Sequence, residues 1–552
     1  MKQKIVAMLL GTAMIVSTLV GCGNQEVSES TIAESKSEAV ESSSGEEGAS
    51  EPIKEVITTE HGTIPVDQFA GTELTIAISK SAGDTTEDFN EKPIMKLMEE
   101  ATGIHINWEI IDVSVRQERV STLLASGDLP DAFLNGLILG TEMAANEGMF
   151  YDLSEEGLLE TYCPDVLDDY INGGQNVLET ITWPDGSIYG LAGNVGNSYS
   201  TDPQGIWYIN KVWLDNVGMD IPTTDEEFYE VLCAFRDQDA NGNGDASDEI
   251  PLSFCNNKWA ACFANFANSW GIAARRDGDK YHYYMLKDGV VEPTVDTQAW
   301  REFLEYYHKL AEEGLLDIEG FSQTAEQYVT KQAENRVGIL IDWTPPVELQ
   351  DQYVPMKPFS VDGYKTVKTG SQNYPYFCVG GLVAAADCSN IEALLHWWNY
   401  MASTTDLKYT ANYGEKGLTW DIDENGKYVT LNAITAEIDY PLQQTLGGNA
   451  SPYQTPAEVH DVPGYRQDAV DFLWDMTLTE YINAEKVVAP EAIQERKLIE
   501  ADLVDYIGGF TATSVVDGLT DASWEQFLKD LETYGYYDYI EWWQKFVDGE
   551  LD

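Results

Sequence analysis

The chain has 552 residues, 43% of them hydrophobic, enough to bury a large core and to divide into more than one lobe. Its 32 basic against 94 acidic side chains give a formal charge of −62. A field of that sign repels nucleic acid and anionic membrane surface, excludes a polybasic anchor, and suits a neutral or cationic ligand better than a polyanion.

At the N-terminus Lys2 and Lys4 precede an uncharged apolar run from Ile5 to Val20, followed by Gly21 and Cys22. A positive segment leading into a short apolar one is the anatomy of a secretory signal, too short and wrongly flanked for a spanning helix. The run Leu19-Val20-Gly21-Cys22 resembles the lipobox of bacterial lipoproteins. That resemblance implies removal of residues 1–21 and acylation of Cys22, so that lipid alone tethers the mature chain at the extracellular face of the membrane. From Gly23 to about Glu60 the sequence is Ser- and Glu-rich without one aromatic residue. We expect a solvated linker over residues 22–65, holding the body about 35 Å from the membrane.

Order begins near Leu74. Leu74, Ile76 and Ile78 alternate with small or polar residues as a half-buried strand does. Pro93 opens a helix with Ile94, Leu97, Met98 and Ala101 on one face, and Gly103 closes it. Ile104, Ile106, Trp108 and Ile110 predict a second strand, residues 115–125 a second helix stopped by Gly127, and residues 131–134 a third strand. This succession reads as a parallel βαβ sheet with right-handed crossovers, hence an α/β body. Farther on, Phe303 to Ala311 predict a helix ended by Gly314, Val337–Ile341 a strand, Phe377–Ala386 another, and residues 391–401 a helix.

The sharpest chemical motif is Asp237 to Glu249, where oxygen-bearing side chains fall on alternate residues with glycines between. Such a loop can converge on one hard cation, and its oxygens suit Ca²⁺ rather than zinc. One register starts at Asp237, with Asp239, Asn241, Gly242 sixth and Asp248 twelfth. The other starts at Asp239 and uses Asn241, Asn243 and Asp245, with Asp248 or Glu249 closing. The competing interpretation is a solvated Asn-Gly turn. The ion's role would be structural.

Several stretches in order resemble the extracellular solute-binding lipoproteins of bacterial carbohydrate ABC importers, the LipO-like group. They are Ser126 to Asp131, similar to "G-D-x-P-D"; Trp183 to Leu191, similar to "D-G-x-x-Y-G-L"; Ile206 to Arg236; and Tyr413 to Trp420, which departs at Lys416. The loop from Asp239 is similar to "D-x-N-G-N-G-x-x-D-E-I-P" with one extra residue near Ser247. The resemblance implies a two-lobed periplasmic-binding-protein-like fold of type II. Lobe 1 would span 66–195 with about 380–408, and lobe 2 would span 196–379 with about 409–552. Crossings are expected near 192–200, 377–384 and 402–412, with a ligand cleft between the lobes that closes by hinge bending. It further implies a monomer that captures an oligosaccharide, neutral by the charge argument, and hands it to permease subunits.

Sugar sites stack rings on aromatics and fix hydroxyls with polar side chains, and the chain has 15 Trp and 30 Tyr. By family analogy Asn135, after the third strand, lies at the cleft rim. Trp343, Trp259, Trp270 and Trp420 are the candidate stacking residues, whereas Trp207 is expected in the core and Trp397 and Trp398 as core or surface filler. A peptide or other small solute on the same scaffold is the alternative ligand. An exported glycoside hydrolase is the rival class, since it needs only two carboxylates. Yet the six histidines are scattered, no nucleophile motif is present, and a carrier is expected rather than an enzyme. Besides Cys22, six cysteines follow no zinc spacing; Cys255 and Cys262 are near enough to pair, and buried thiols are equally compatible.

Overall fold

The described residues between 73 and 134 form the strands and helices their periodicity predicts. In the computed structural model, β3 (Glu73–Lys80) and β4 (His105–Asp112) pair in parallel over their whole length, and β5 (Ala132–Leu134) adds in parallel on the other side of β3. The helix Pro93–Thr102 has proline in its first turn and ends at Gly103, whose φ of 65° is open to a residue without Cβ. The helix Arg116–Ser126 stops in the same way at Gly127. The structure describes residues 56–551 apart from 59–62, 81–85, 113–114, 173–175, 196–204, 274, 278–279, 371–377, 432–451, 453–463, 479, 481, 483 and 485. Cys22, the signal segment and most of the expected linker lie outside the described residues. One stretch assigned to that linker is ordered: β1 (Val56–Thr58) and β2 (Thr63–Pro65) form an antiparallel pair, as their β-branched residues favour.

The first sheet is completed from far along the chain. β15 (Cys378–Ala384) lies between β5 and β6 (Leu191–Gly193), antiparallel to both, giving the order β4-β3-β5-β15-β6. The sheet is therefore mixed, with its parallel part confined to β3, β4 and β5. Every residue of β15 is buried. Gly380 and Gly381 are required there: a Cβ on them would lie 1.8 Å from the carbonyl oxygen of Ile138 and 2.1 Å from the amide nitrogen of Gly193.

A second sheet has the order β14-β7-β13-β8, from Tyr353–Met356, Ile206–Asn210, Val337–Asp342 and Ile250–Ser253. β13 runs parallel to β8 and antiparallel to β7. Four short strands, β9 (Arg275–Asp277), β10 (Lys280–His282), β11 (Tyr284–Lys287) and β12 (Val290–Pro293), form two hairpins, and β16 (Trp420–Ile422) with β17 (Tyr428–Thr430) forms another. The core around the second sheet is aromatic: Trp207 sits 5.1–5.9 Å from the rings of Phe228, Phe266 and Phe359. Trp397 and Trp398, on the helix Ile391–Tyr400, are buried under the first sheet. No disulfide is formed among the described residues; the Cys255 thiol faces the carbonyl of Gln323 and Cys262 the amide of Asn265. No described helix is long and apolar enough to cross a membrane.

The chain leaves the first sheet at Gly193 and enters the second at Ile206; it leaves the second at Met356 and returns at Cys378. Gly193 pairs with Cys378, Ile206 with Asp342, and Met356 with Trp207. Both connections therefore run between the same two sheet edges. The 28-residue helix Pro490–Asp517 packs on both sides, against the helix Gly140–Ala145 and against the helix Gln298–Glu312.

Candidate functional site

Those two edges carry the candidate binding residues. On the first sheet, Ile76 of β3 pairs with Ala132 of β5, which brings Ser79 beside Asn135. Asn135 takes a left-handed backbone (φ 62°), a conformation asparagine tolerates better than other side-chain-bearing residues. Its amide N–H donates to Gly381 O at 3.2 Å and its side-chain Nδ2 to Ser79 Oγ at 2.9 Å. The Oδ1 atom is buried without a partner. Arg116 donates to the carbonyl of the next residue, Gly136.

On the second sheet, β13 ends in Asp342 and Trp343, while the loop after β8 carries Lys258 and Trp259. The two indoles meet at 5.2 Å between centroids, inclined at 44°. Trp259 is 42% exposed and Trp343 half-buried, so the pair presents a partly open aromatic face. Lys258 Nζ bonds Asp342 Oδ2 at 2.5 Å, with the carboxylate buried. Asp342 Oδ1 accepts from the Trp343 amide, and the Tyr208 hydroxyl donates to Trp343 O at 3.1 Å. The aromatic pair is thus fixed from below by one ion pair and two hydrogen bonds.

Two expected stacking residues lie elsewhere. Trp270 ends the 3₁₀ helix Phe263–Trp270, is 3% exposed, and packs on Phe303, Tyr306 and Phe359 at 5.4–5.8 Å. It is a core residue, because that whole helix is buried. Trp420 is fully buried among Tyr409, Tyr413 and Tyr428, and its indole N–H donates to Gly414 O at 2.7 Å. Neither presents a face to a ligand. The Lys258–Asp342 pair went unread in the sequence; the only local signal is that each of the two tryptophans follows a charge of opposite sign.

The loop Asp237–Glu249 closes on itself. Asn241 and Asn243 donate their side-chain amides to the two oxygens of Asp248, each at 2.9 Å. The Gly244 amide donates to Asp239 Oδ2 at 3.0 Å, and the Ser247 hydroxyl and amide donate to Asp245, which holds that carboxyl below its ordinary range. Gly242 and Gly244 take positive φ at the tight turns. Glu249 Oε2 is buried without a partner, and burial pushes its carboxyl above the ordinary value. Asp237 instead turns to Arg236, at 2.7 and 3.0 Å. Among the described residues no three His, Cys, Asp or Glu side chains are grouped to hold a metal. Two of the inward chains here are amides, whose N–H groups neutralise Asp248 as a cation would. Glu249 Oε1 accepts from the Asn241 backbone amide at 3.4 Å, and the Oε2 atom left over is an oxygen of the kind a hard cation takes.

The sequence profile of the bacterial extracellular solute-binding proteins matches residues 82–408. The fructooligosaccharide ABC transporter substrate-binding protein FusA of Streptococcus pneumoniae is 28% identical over 484 residues, 84% of this chain and 88% of its own. Lipoprotein LipO of Bacillus subtilis is 24% identical over 279 residues, 50% of this chain and 51% of its own. The solved structure of S. pneumoniae FusA in complex with kestose superposes with a TM-score of 0.75 at 24% identity, covering 87% of this chain and 99% of that one. A FusA EF-hand mutant in complex with fructo-nystose gives a TM-score of 0.74, again at 24% identity and with the same coverage.

Proposed function

The chain belongs to the bacterial extracellular solute-binding proteins, and from that premise we propose that it captures a neutral oligosaccharide for handover to the permease subunits of an ABC importer. The observation that carries the proposal is the Trp259–Trp343 pair, exposed at the sheet edge where the chain crosses between lobes. Flat apolar faces with polar rims are what a sugar ring stacks on, and Asn135 with Ser79 on the opposite edge offers hydroxyl partners. FusA, named for a fructooligosaccharide, supports the ligand class. The formal charge of −62 supports a ligand without carboxylates.

Binding and release suffice for such a carrier; no bond in the sugar needs to break. The lobes would close over the ligand by hinge bending at the two connections, and the closed form would be the one the permease accepts. We take lobe 1 as 66–195 with about 380–408 and lobe 2 as 196–379 with about 409–552, the carrier acting as a monomer held at the cell surface through acylated Cys22.

A structural Ca²⁺ belongs to the same proposal, held by Asp239, Asn241, Asn243, Asp245 and the Asp248–Glu249 pair. The ion would supply the positive charge that these crowded oxygens lack and pin the loop that follows the helix Asp225–Asp237. The EF-hand named for FusA supports it.

The test is tryptophan fluorescence of the mature chain carrying Cys22→Ser, titrated with neutral oligosaccharides and then with peptides. Saturation by one sugar family, with the sugar recovered intact, is the expected result. Saturation by peptides alone would overturn the ligand class, and recovery of shortened sugar would make the protein a hydrolase.

A further inference from the structure

A small cavity of about 30 Å³ lies where three parts of the chain meet. They are the segment after β5 with Leu139, the stretch with Val487 that leads into the helix Pro490–Asp517, and the last helix, Tyr536–Val547. That is about twice the space one water needs, and too little for a sugar ring. Leu139, Val487, Ile493 and Trp542 make its walls largely apolar. Its two charged lining residues, Lys486 and Arg496, are both cations, and among the described residues no carboxylate lines it. In a chain with 94 acidic against 32 basic side chains, that local excess runs against the composition.

Arg496 gives the cavity its chemistry. It is 6% exposed, and its guanidinium lies 5.0 Å from the Trp542 ring and 5.2 Å from the Trp543 ring. Contact with aromatic faces steadies the planar fork but uses none of its N–H groups. Nε is buried without a hydrogen-bond partner. The carboxylate paired with it, Glu500 one helical turn on, stands 3.6 Å from Nε, near enough to offset the charge and too far to accept a hydrogen bond. Buried donors left unmet are rare in native proteins. Arginines with a purely structural part in this fold turn to backbone carbonyls instead, Arg116 to Gly136 O and Arg236 to Glu313 O. Lys486 lies 4.0 Å from Glu179, which does not line the cavity either.

We infer that this cavity is a binding site for the carboxylate group of a short organic acid. It is separate from the Trp259–Trp343 platform, neither residue of which lines it. A guanidinium offers parallel N–H donors that match the two oxygens of a carboxylate, and its charge strengthens both bonds. Lys486 adds a second positive group. The apolar walls receive the acid's short tail, and they hold no donors to replace the water shell of a doubly charged phosphate. The bound acid bridges the segment after β5 and the C-terminal helices. The site is independent of the carrier function proposed above, and its test uses no sugar.

The experiment is saturation-transfer NMR on the mature chain carrying Cys22→Ser, with acetate as the probe and acetamide as its neutral counterpart. Arg496→Lys keeps a charge beside Glu500 and removes the planar fork, whereas Ala484→Leu leaves the ion pair alone and fills the cavity. A cooperative melt shows that each variant folds. Acetate is expected to bind the wild-type chain saturably, about tenfold more weakly to Arg496→Lys, and not at all to Ala484→Leu. Acetamide is expected to bind none of the three. Absence of acetate binding to the wild-type chain overturns the assignment, as does equal affinity in Arg496→Lys or binding that survives in Ala484→Leu. Acetamide bound as well as acetate would make the cavity merely apolar and overturns it too. Inorganic phosphate that displaces acetate at equal concentration overturns the carboxylate class. Should one variant fail to fold, the other decides.

Discussion

Lys258 and Asp342 form an ion pair at 2.5 Å that joins the two loops carrying Trp259 and Trp343, so one buried carboxylate holds both halves of the aromatic platform. Asp342 is 1% exposed, whereas the Lys258 side chain keeps 29% of its surface in water. The pair's value lies in what happens when it is broken. Removing one partner of a buried pair strands the other charge, a far larger cost than the pair's net contribution.

Lys258→Met is therefore expected to destabilise the protein by about 3 kcal/mol. Adding Asp342→Asn to the same chain should recover most of that loss, because the stranded charge is gone. Urea unfolding of the two single variants and the double variant checks this. Additive losses would mean that the two groups do not depend on one another.

Trp343→Ala should weaken oligosaccharide binding by about 2 kcal/mol, near thirtyfold, while moving the melting temperature little. The stacking surface goes, but the ring is only half-buried at the end of its strand. Trp270→Ala should do the reverse. It opens a cavity among Phe303, Tyr306 and Phe359 and costs about 3–5 kcal/mol of stability. Fluorescence titration paired with melts on both variants separates the two roles.

A calcium chelator should lower the melting temperature of the wild-type chain, and added Ca²⁺ should restore it. A site filled at one hundred times its Kd contributes about 2.7 kcal/mol. Asp239→Asn should abolish the response. Asp237→Asn should leave it intact, since Arg236 already holds that carboxylate. A chelator response lost in Asp237→Asn would assign the other register, which uses Asp237 as well as Asp239.

Burial pushes the Asp169 carboxyl up to about 6, outweighing the Lys408 ammonium at 2.9 Å. The folded-state value lies above the ordinary 3.8, so between the two the folded chain holds a proton that the unfolded chain has released. Stability from this group is thus full below the ordinary value and falls as the pH rises to about 6. The shift of about two units corresponds to roughly 3 kcal/mol. Asp169→Asn should flatten that slope. Denaturation midpoints of both proteins across this range measure it, and parallel curves would exclude Asp169 as the source.

The alternation of Leu74, Ile76 and Ile78 and the stops at Gly103 and Gly127 were legible because strand period and helix termination are local properties. The strand Cys378–Ala384 was legible as a strand, and the resemblance assigned most of it to lobe 1, but its slot between β5 and β6 was not. Its partners β5 and β6 lie far back in the chain, and pairing across such a distance leaves no mark in the residues themselves. The tryptophans show the same limit. Trp270, Trp343 and Trp420 look alike in sequence, and only their tertiary neighbours make the first and last core residues. Asn135 could be found because it follows a recognisable strand.

The insertion of β15 between β5 and β6 also orders events in time. A chain threaded outward from its N-terminus delivers β3 to β6 early, yet β5 and β6 cannot join until Cys378–Ala384 has emerged. Through that interval both are open edges, with unpaired backbone groups and apolar faces of the kind that recruit other strands. The second sheet, from Ile206 to Met356, contains all its own strands and can close first. β15 thus acts as a latch: assembly of the first sheet waits on a strand delivered after the whole of the second. Contacts so distant in sequence make for slow folding, and the interval spent with open edges is where such a chain is most exposed to aggregation and proteolysis.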